Sequence, residues 1–130
     1  MRHVEVVVGV QATLAAYAQA LDAGRTDDVV ALFHPEGTAE IAGVGTFCGH
    51  EALRASYAGM VPARPQLHLV GNTVLTSWTG DEATAVSDFA FLQRGSSGWG
   101  VPLTGRYDDT FRKAEDGLWQ IFRKSVTYVS

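Results

Sequence analysis

Two residues far apart in the chain have the side chains for acid–base chemistry. They are Asp22, at the end of an apolar helical stripe, and His68, at the start of a strand-like run. A carboxylate that accepts a hydrogen bond from one imidazole nitrogen fixes the tautomer and raises the basicity of the other, which makes a general base. Asp22 falls one residue past the last core position of its helix, ~40° round from Ala18 on an ideal helix, so it can border the packed face. By strand alternation His68 shares a face with Val70, Asn72 and Val74. Tyr17 lies nearby as a third candidate, either an oxyanion donor or a core aromatic with its hydroxyl satisfied. The alternative for the pair is structural: a polar residue closing a helix beside Gly24, and a satisfied strand histidine.

Three further residues could border a site. Asp88 stands between Ser87 and Phe89 in an apolar strand, where a cavity-facing carboxylate would have a raised pKa and a solvent-facing one would not. Tyr107 and Asp109 share a strand face with Leu103 and Phe111, and that face is expected to be the inner one. The remaining histidines carry less chemistry. His3 is terminal, while His34, before Pro35, and His50, at a helix start, are expected to face solvent. Cys48 is expected to be a small buried residue.

The elements that would position these groups follow from periodicity. Apolar residues at Val7, Val10, Leu14, Tyr17, Ala18 and Leu21 mark one face of a helix, which Gly24 ends. Thr26 is expected to cap a short second helix with Asp27 and Asp28 in its first turn. Val29, Val30, Leu32 and Phe33 form its apolar side, and His34-Pro35 stops it. A short strand over Thr38 to Ile41, a turn over Gly43 to Gly45, and a third helix from Gly49 to Met60 follow. Four long strands come next: Gln66 to Trp78, Thr84 to Arg94, Trp99 to Arg112, and Leu118 to Val129. Turn signals at Gly80-Asp81, Gly95 to Gly98 and Asp116-Gly117 separate them. Helices first and an antiparallel meander second predict an α+β fold with the helices on one face of the sheet.

Composition narrows the function. The chain has 130 residues, one domain's length, with 46% hydrophobic and 18% charged residues, as in a globular protein. A net charge of −4 with no basic cluster argues against a nucleic-acid or membrane-surface partner. One cysteine forms no intrachain disulfide, which fits a cytoplasmic location. The first ten residues lack a signal-peptide cleavage site, and no stretch is expected to span a bilayer. No metal-ligand spacing, dinucleotide fingerprint, phosphate loop or nucleophile elbow is present, so no metal and no cofactor is expected.

The segments Tyr17 to Gly24, Val29 to Phe33, Gly49 to Leu53 and Gly105 to Arg123 together resemble the SnoaL-like, ketosteroid isomerase-like branch of the nuclear transport factor 2-like superfamily. The resemblance covers nearly the whole chain. It implies a single cone-shaped domain over residues 1–130, with three N-terminal helices packed on a strongly curved, mostly antiparallel sheet and a ligand pocket inside. It also implies an Asp22–His68 dyad like that of the aspartate–histidine dehydratases and dehydrochlorinase of the superfamily. Tyr17, five residues before Asp22, matches a tyrosine-to-aspartate spacing of that group. Arg123 matches a basic position of the closing strand, where it could bind a substrate carboxylate or pair with a structural acid. The steroid isomerases' catalytic aspartate would fall at Ile41, so their mechanism is not implied. Superfamily members often pair through the outer sheet face, which implies a homodimer.

The leading expectation is therefore a cofactor-independent lyase or isomerase. It would act on a small hydrophobic cyclic metabolite by proton abstraction at an Asp22–His68 dyad, with Tyr17 assisting and Asp88, Tyr107, Asp109 and Arg123 as substrate-binding candidates. The alternative is a non-catalytic binding or dimerisation module of the same fold. Enzyme chemistry requires Asp22 and His68 within hydrogen-bond reach in a pocket. A pure association module would have that pocket filled by side chains such as Trp78, Trp99 or Phe91.

Overall fold

A computed structural model describes residues 2–129. Helix α1 (His3–Asp22) buries Val6, Val10, Leu14, Tyr17, Ala18 and Leu21 along one stripe. It begins four residues before the predicted periodicity, and Val6 takes the core position expected of Val7. The helix ends as the sequence predicts. Gly24 takes the left-handed conformation at φ 70°, and the Arg25 N–H reaches back to the Ala20 carbonyl at 2.9 Å. By length and composition alone α1 could cross a bilayer, contrary to the sequence expectation. In this fold its apolar stripe lies against the sheet.

Helix α2 (Thr26–Ala31) is a single short segment whose flanking residue is Arg25, and Thr26 makes no capping bond. Its two acidic residues instead pair with arginines: Asp28 with Arg25 at 2.7 Å and Asp27 with Arg54 at 2.8 Å. Strand β1 (Phe33–Ile41) starts five residues earlier than predicted. Phe33, expected on the apolar side of α2, is instead a fully buried strand residue opposite Ile121. Strand β2 (Gly45–Cys48), unforeseen in the sequence, is a four-residue antiparallel partner of β1 after the expected glycine turn. Helix α3 (Gly49–Ala58) buries Leu53 and Tyr57 as predicted.

Strands β3 (Gln66–Trp78), β4 (Glu82–Gly95), β5 (Gly98–Lys113) and β6 (Trp119–Val129) match the four expected segments to within two residues at each end. They join β1 and β2 in one six-stranded sheet of order β2-β1-β6-β5-β4-β3. Every neighbouring pair is antiparallel except β1 with β6, which run parallel. The fold is thus α+β, with helices on the inner face of a mostly antiparallel sheet.

Register shifts bend the sheet and re-aim its side chains. On β3 the shift between Gly71 and Val74 centres on Asn72, the one non-glycine residue at positive φ (53°) among those described. Beyond it the alternation inverts. Thr73 turns in to bond Ser87 at 2.9 Å, and Val74, expected on the His68 face, is exposed. On β6 the pairs Thr110–Arg123 and Phe111–Ile121 leave Phe122 as an extra residue. Trp119 and Ile121 point inward before it, Lys124 and Val126 after it. Pro102, which has no N–H for the ladder, lies inside a further shift, between Phe91–Leu103 and Gln93–Gly100.

Candidate active site

The end of α1 lies beside the start of β3, so Asp22 and His68 meet. His68 Nδ1–H donates to Asp22 Oδ1 at 2.6 Å. The His68 backbone N–H donates to Oδ2 at 2.6 Å, and Gln66 Nε2 donates to Oδ1 at 3.0 Å. Both dyad side chains are largely buried, 10% exposed for Asp22 and 14% for His68. The carboxylate can only accept, so Nδ1 carries the hydrogen and Nε2 keeps its lone pair. The helix ending at Gly24 and the start of β3 beside it thus produce a singly oriented imidazole.

His68 forms part of the wall of a cavity of about 300 Å³ between the helices and the inner sheet face. Leu21, Ile41, Met60, Phe91 and Val126 supply much of its apolar surface. The polar residues on the wall are Tyr17, Gln66, His68, Tyr107 and Tyr128. Asp22 is not on the wall and acts from behind His68. Phe91 lies 4.9 Å from the imidazole, centroid to centroid, and Phe89 stacks on Tyr107 at 4.6 Å. Gly105 makes that stack possible, because a Cβ there would strike the Phe89 ring. Trp78 and Trp99 are exposed outside the cavity, and Phe91 lines it without filling it.

Several expected site residues lie elsewhere. Tyr17 presents its ring to the cavity, but its hydroxyl is 2.7 Å from that of Tyr57 in a buried pair. This position weakens its candidacy as an oxyanion donor. Asp88 is on the outer sheet face, hydrogen-bonded by Asn72 at 3.0 Å and beside Arg106 at 3.5 Å. The Asn72 bond holds its carboxyl below the usual range, the reverse of the raised pKa that a cavity position would give. Arg123 is also on the outer face, paired with Glu40 at 2.8 Å. Asp109 is buried as expected, but it does not border the cavity: both its oxygens are 3.2 Å from Lys124 Nζ. Of the four substrate-binding candidates, only Tyr107 lines the cavity. Two lesser expectations also change. His50 Nε2 is 2.9 Å from the Phe33 carbonyl oxygen and ties α3 to β1, and Cys48 is exposed.

Lys124 and Gln66 went unnoticed in the sequence. Counted from Trp119 and Ile121, simple alternation turns residue 123 inward. The extra residue Phe122 reverses this and buries Lys124 in its place. The Lys124 ammonium lies 3.5 Å from the Tyr107 ring centroid and 4.5 Å from that of Tyr17. Burial pushes Asp109 up and Lys124 down, and their attraction opposes both shifts. Gln66 could have been found, because it precedes His68 by two residues on the same strand face. Burial raises Tyr107 well above the usual tyrosine value, so its hydroxyl stays protonated and able to donate. That hydroxyl has no hydrogen-bond partner among the described residues and is not sealed from the cavity. Among the described residues, no three His, Cys, Asp or Glu side chains converge as metal ligands would.

The model of the SnoaL-like domain matches residues 2–125. No curated protein matches the sequence. Among solved structures, an NTF2-like protein with a cystatin-like fold from Novosphingobium aromaticivorans superposes with a TM-score of 0.83 at 23% identity, covering 93% of this chain and 80% of that one. A scytalone dehydratase-like protein from the same organism gives 0.83 at 20% identity, over 95% and 84% of the two chains. LinA gives 0.82 at 16% identity, over 96% and 86%. These similarities establish a shared fold.

Proposed function

The chain belongs to the SnoaL-like domain family, and on that premise we propose that it is a lyase or isomerase that removes a proton from carbon in a small, largely apolar cyclic molecule, without a cofactor. The observation that carries the proposal is the 2.6 Å bond from His68 Nδ1 to a carboxylate held by three donors, in the wall of an apolar cavity. His68 Nε2 would take the proton, and Asp22 would stabilise the resulting imidazolium. In an elimination, the C–H electron pair forms the new double bond as the group on the adjacent carbon leaves, and the imidazolium returns the proton to that group. In an isomerisation, the proton returns to a different carbon. The Tyr107 hydroxyl is placed to donate to an oxygen that gains charge, in low-dielectric surroundings that strengthen the interaction. Relatedness of fold to the scytalone dehydratase-like protein and to LinA is consistent with this chemistry.

The test begins with a panel of one- and two-ring ketones and alcohols screened for thermal stabilisation of the protein. Those that bind are incubated in D2O, and deuterium entering the carbon next to the carbonyl is followed by NMR. Enzyme-dependent exchange or elimination supports the reading. Tight binding with no exchange in any member leaves a binding module in its place.

A further inference from the structure

Gln66 is attached to the dyad and also borders the cavity. Its Nε2 donates to Asp22 Oδ1 at 3.0 Å. Because a carboxylate offers no hydrogen, only the amide nitrogen can face it, and chemistry alone fixes which end of the amide is which. The carbonyl oxygen Oε1 is therefore directed away from Asp22. Among the described residues it has no hydrogen-bond partner, yet it is not a buried orphan, so it remains accessible. The same reasoning leaves His68 Nε2 as an acceptor. Residues two apart on a strand share a face and are spaced by roughly 6.5–7 Å. The polar edge of the cavity thus carries two neighbouring acceptors, Gln66 Oε1 and His68 Nε2, with the Tyr107 hydroxyl as a donor.

We propose that Gln66 is a substrate-recognition residue: its Oε1 accepts a hydrogen bond from a hydroxyl group on the ring of the ligand and so sets the reacting C–H against His68 Nε2. The proposal rests on the cavity reading above and narrows it to neutral ring compounds that bear a hydroxyl. No Lys or Arg side chain lines the cavity among the described residues, which leaves no fixed positive charge to favour a carboxylate ligand. Asp22 locks the amide, so the acceptor is oriented before the ligand arrives and loses little freedom on binding.

The probes are 2-naphthol and 2-methoxynaphthalene, which share two fused rings and an oxygen but differ in the hydroxyl hydrogen. Calorimetry or fluorescence gives Kd for each with the full chain, wild type and variants. Wild type should prefer 2-naphthol by roughly threefold to tenfold, the value of one neutral hydrogen bond. Gln66→Leu should bind both equally. Gln66→Met, which keeps the unbranched length, should do the same and guards against repacking by leucine. His68→Ala should keep the preference. If the preference survives in both Gln66 variants and disappears in His68→Ala, the hydroxyl sits on His68. The Gln66 assignment is then wrong although the cavity reading stands. No preference in wild type overturns the assignment equally. If wild type binds neither compound, the cavity reading fails and the Gln66 proposal with it.

Discussion

Replacing Lys124 with methionine removes an ammonium whose side chain is 0% exposed and leaves the Asp109 carboxylate, 1% exposed, without its counter-charge. Breaking a buried pair from one side costs about 3–5 kcal/mol, because the remaining charge keeps its desolvation penalty and loses its attraction. Total stabilities of small domains are about 5–15 kcal/mol, so Lys124→Met should lose a large part of the fold's margin at pH 7. The double variant Asp109→Leu/Lys124→Met removes both charges and should recover most of the loss, since apolar replacement of a whole buried pair is often neutral or stabilising. A pH signature separates this from simple mispacking. Burial already raises Asp109 above the ordinary aspartate value of 3.8, with Lys124 as its main opposing influence. Without Lys124 the folded state holds the Asp109 proton more tightly still, and the unfolded state does not. Stability therefore falls as pH rises from about 3.8 towards the folded value and is flat beyond it. The deficit of Lys124→Met relative to wild type should shrink on acidification. Urea unfolding followed by tryptophan fluorescence at a series of pH values reads both effects. A loss below about 1 kcal/mol at pH 7, or a double variant as weak as the single, would refute the reasoning.

Burial holds Tyr17, Tyr57 and Tyr107 above the ordinary tyrosine value of 10.0, so they stay protonated in the folded chain, and unfolding lets them ionise. Their contribution is intact below pH 10.0 and is lost as pH rises above it, so phenolate absorbance should appear together with unfolding for these three. Early ionisation of all four tyrosines in a folded chain would contradict this. Gly105→Ala should press on both the Thr127 carbonyl oxygen of β6 and the Phe89 ring and cost about 1–3 kcal/mol by overpacking, measurable by denaturation; a neutral effect would show that neither neighbour is tightly seated. Leu67, Leu69 and Val74 are about half exposed on the outer face of β3, and we propose that a second copy of the chain covers this face. Sedimentation should give twice the 13.9 kDa chain mass, with Leu69→Lys shifting it to monomer, whereas a wild-type monomer at micromolar concentration would end the proposal.

Local signals made much of the fold readable before any coordinates. The stripe from Val10 to Leu21 has helical spacing, and Gly24 can adopt the positive φ at which a helix stops. Asp116-Gly117 separates two strand-length runs. The dyad is readable because Asp22 borders the helix end at Gly24 and His68 opens the strand-length run that begins at Gln66. Parity changes made by a single extra residue are not readable. Nothing in the residue types around Phe122 announces the extra residue that turns Lys124 in and Arg123 out, and nothing in the alternation marks Asn72 as the residue of positive φ that breaks it. Sheet parity also decided Asp88, whose neighbours Phe89 and Phe91 face inward while it faces out. β2 escaped notice because its four residues include one large apolar side chain, Phe47, too few to show a period. The place of Phe33 is not legible because an apolar residue directly after a short helix fits either that helix or a buried strand equally well.

The central claim is that His68, held by Asp22, removes a proton from carbon inside the cavity. The measurement that meets it most directly is the rate of deuterium entry from D2O, for a compound that wild type exchanges, in wild type, His68→Ala, Asp22→Asn and the double variant, alongside Kd for the same compound. His68→Ala should abolish enzyme-dependent exchange. Asp22→Asn should slow it by roughly 10²–10⁴-fold, the range of general acid–base catalysis. The double variant should be hardly slower than His68→Ala, because the two residues act as one unit. Kd should change little throughout, since the apolar wall supplies most of the binding. An undiminished rate in His68→Ala would contradict the claim.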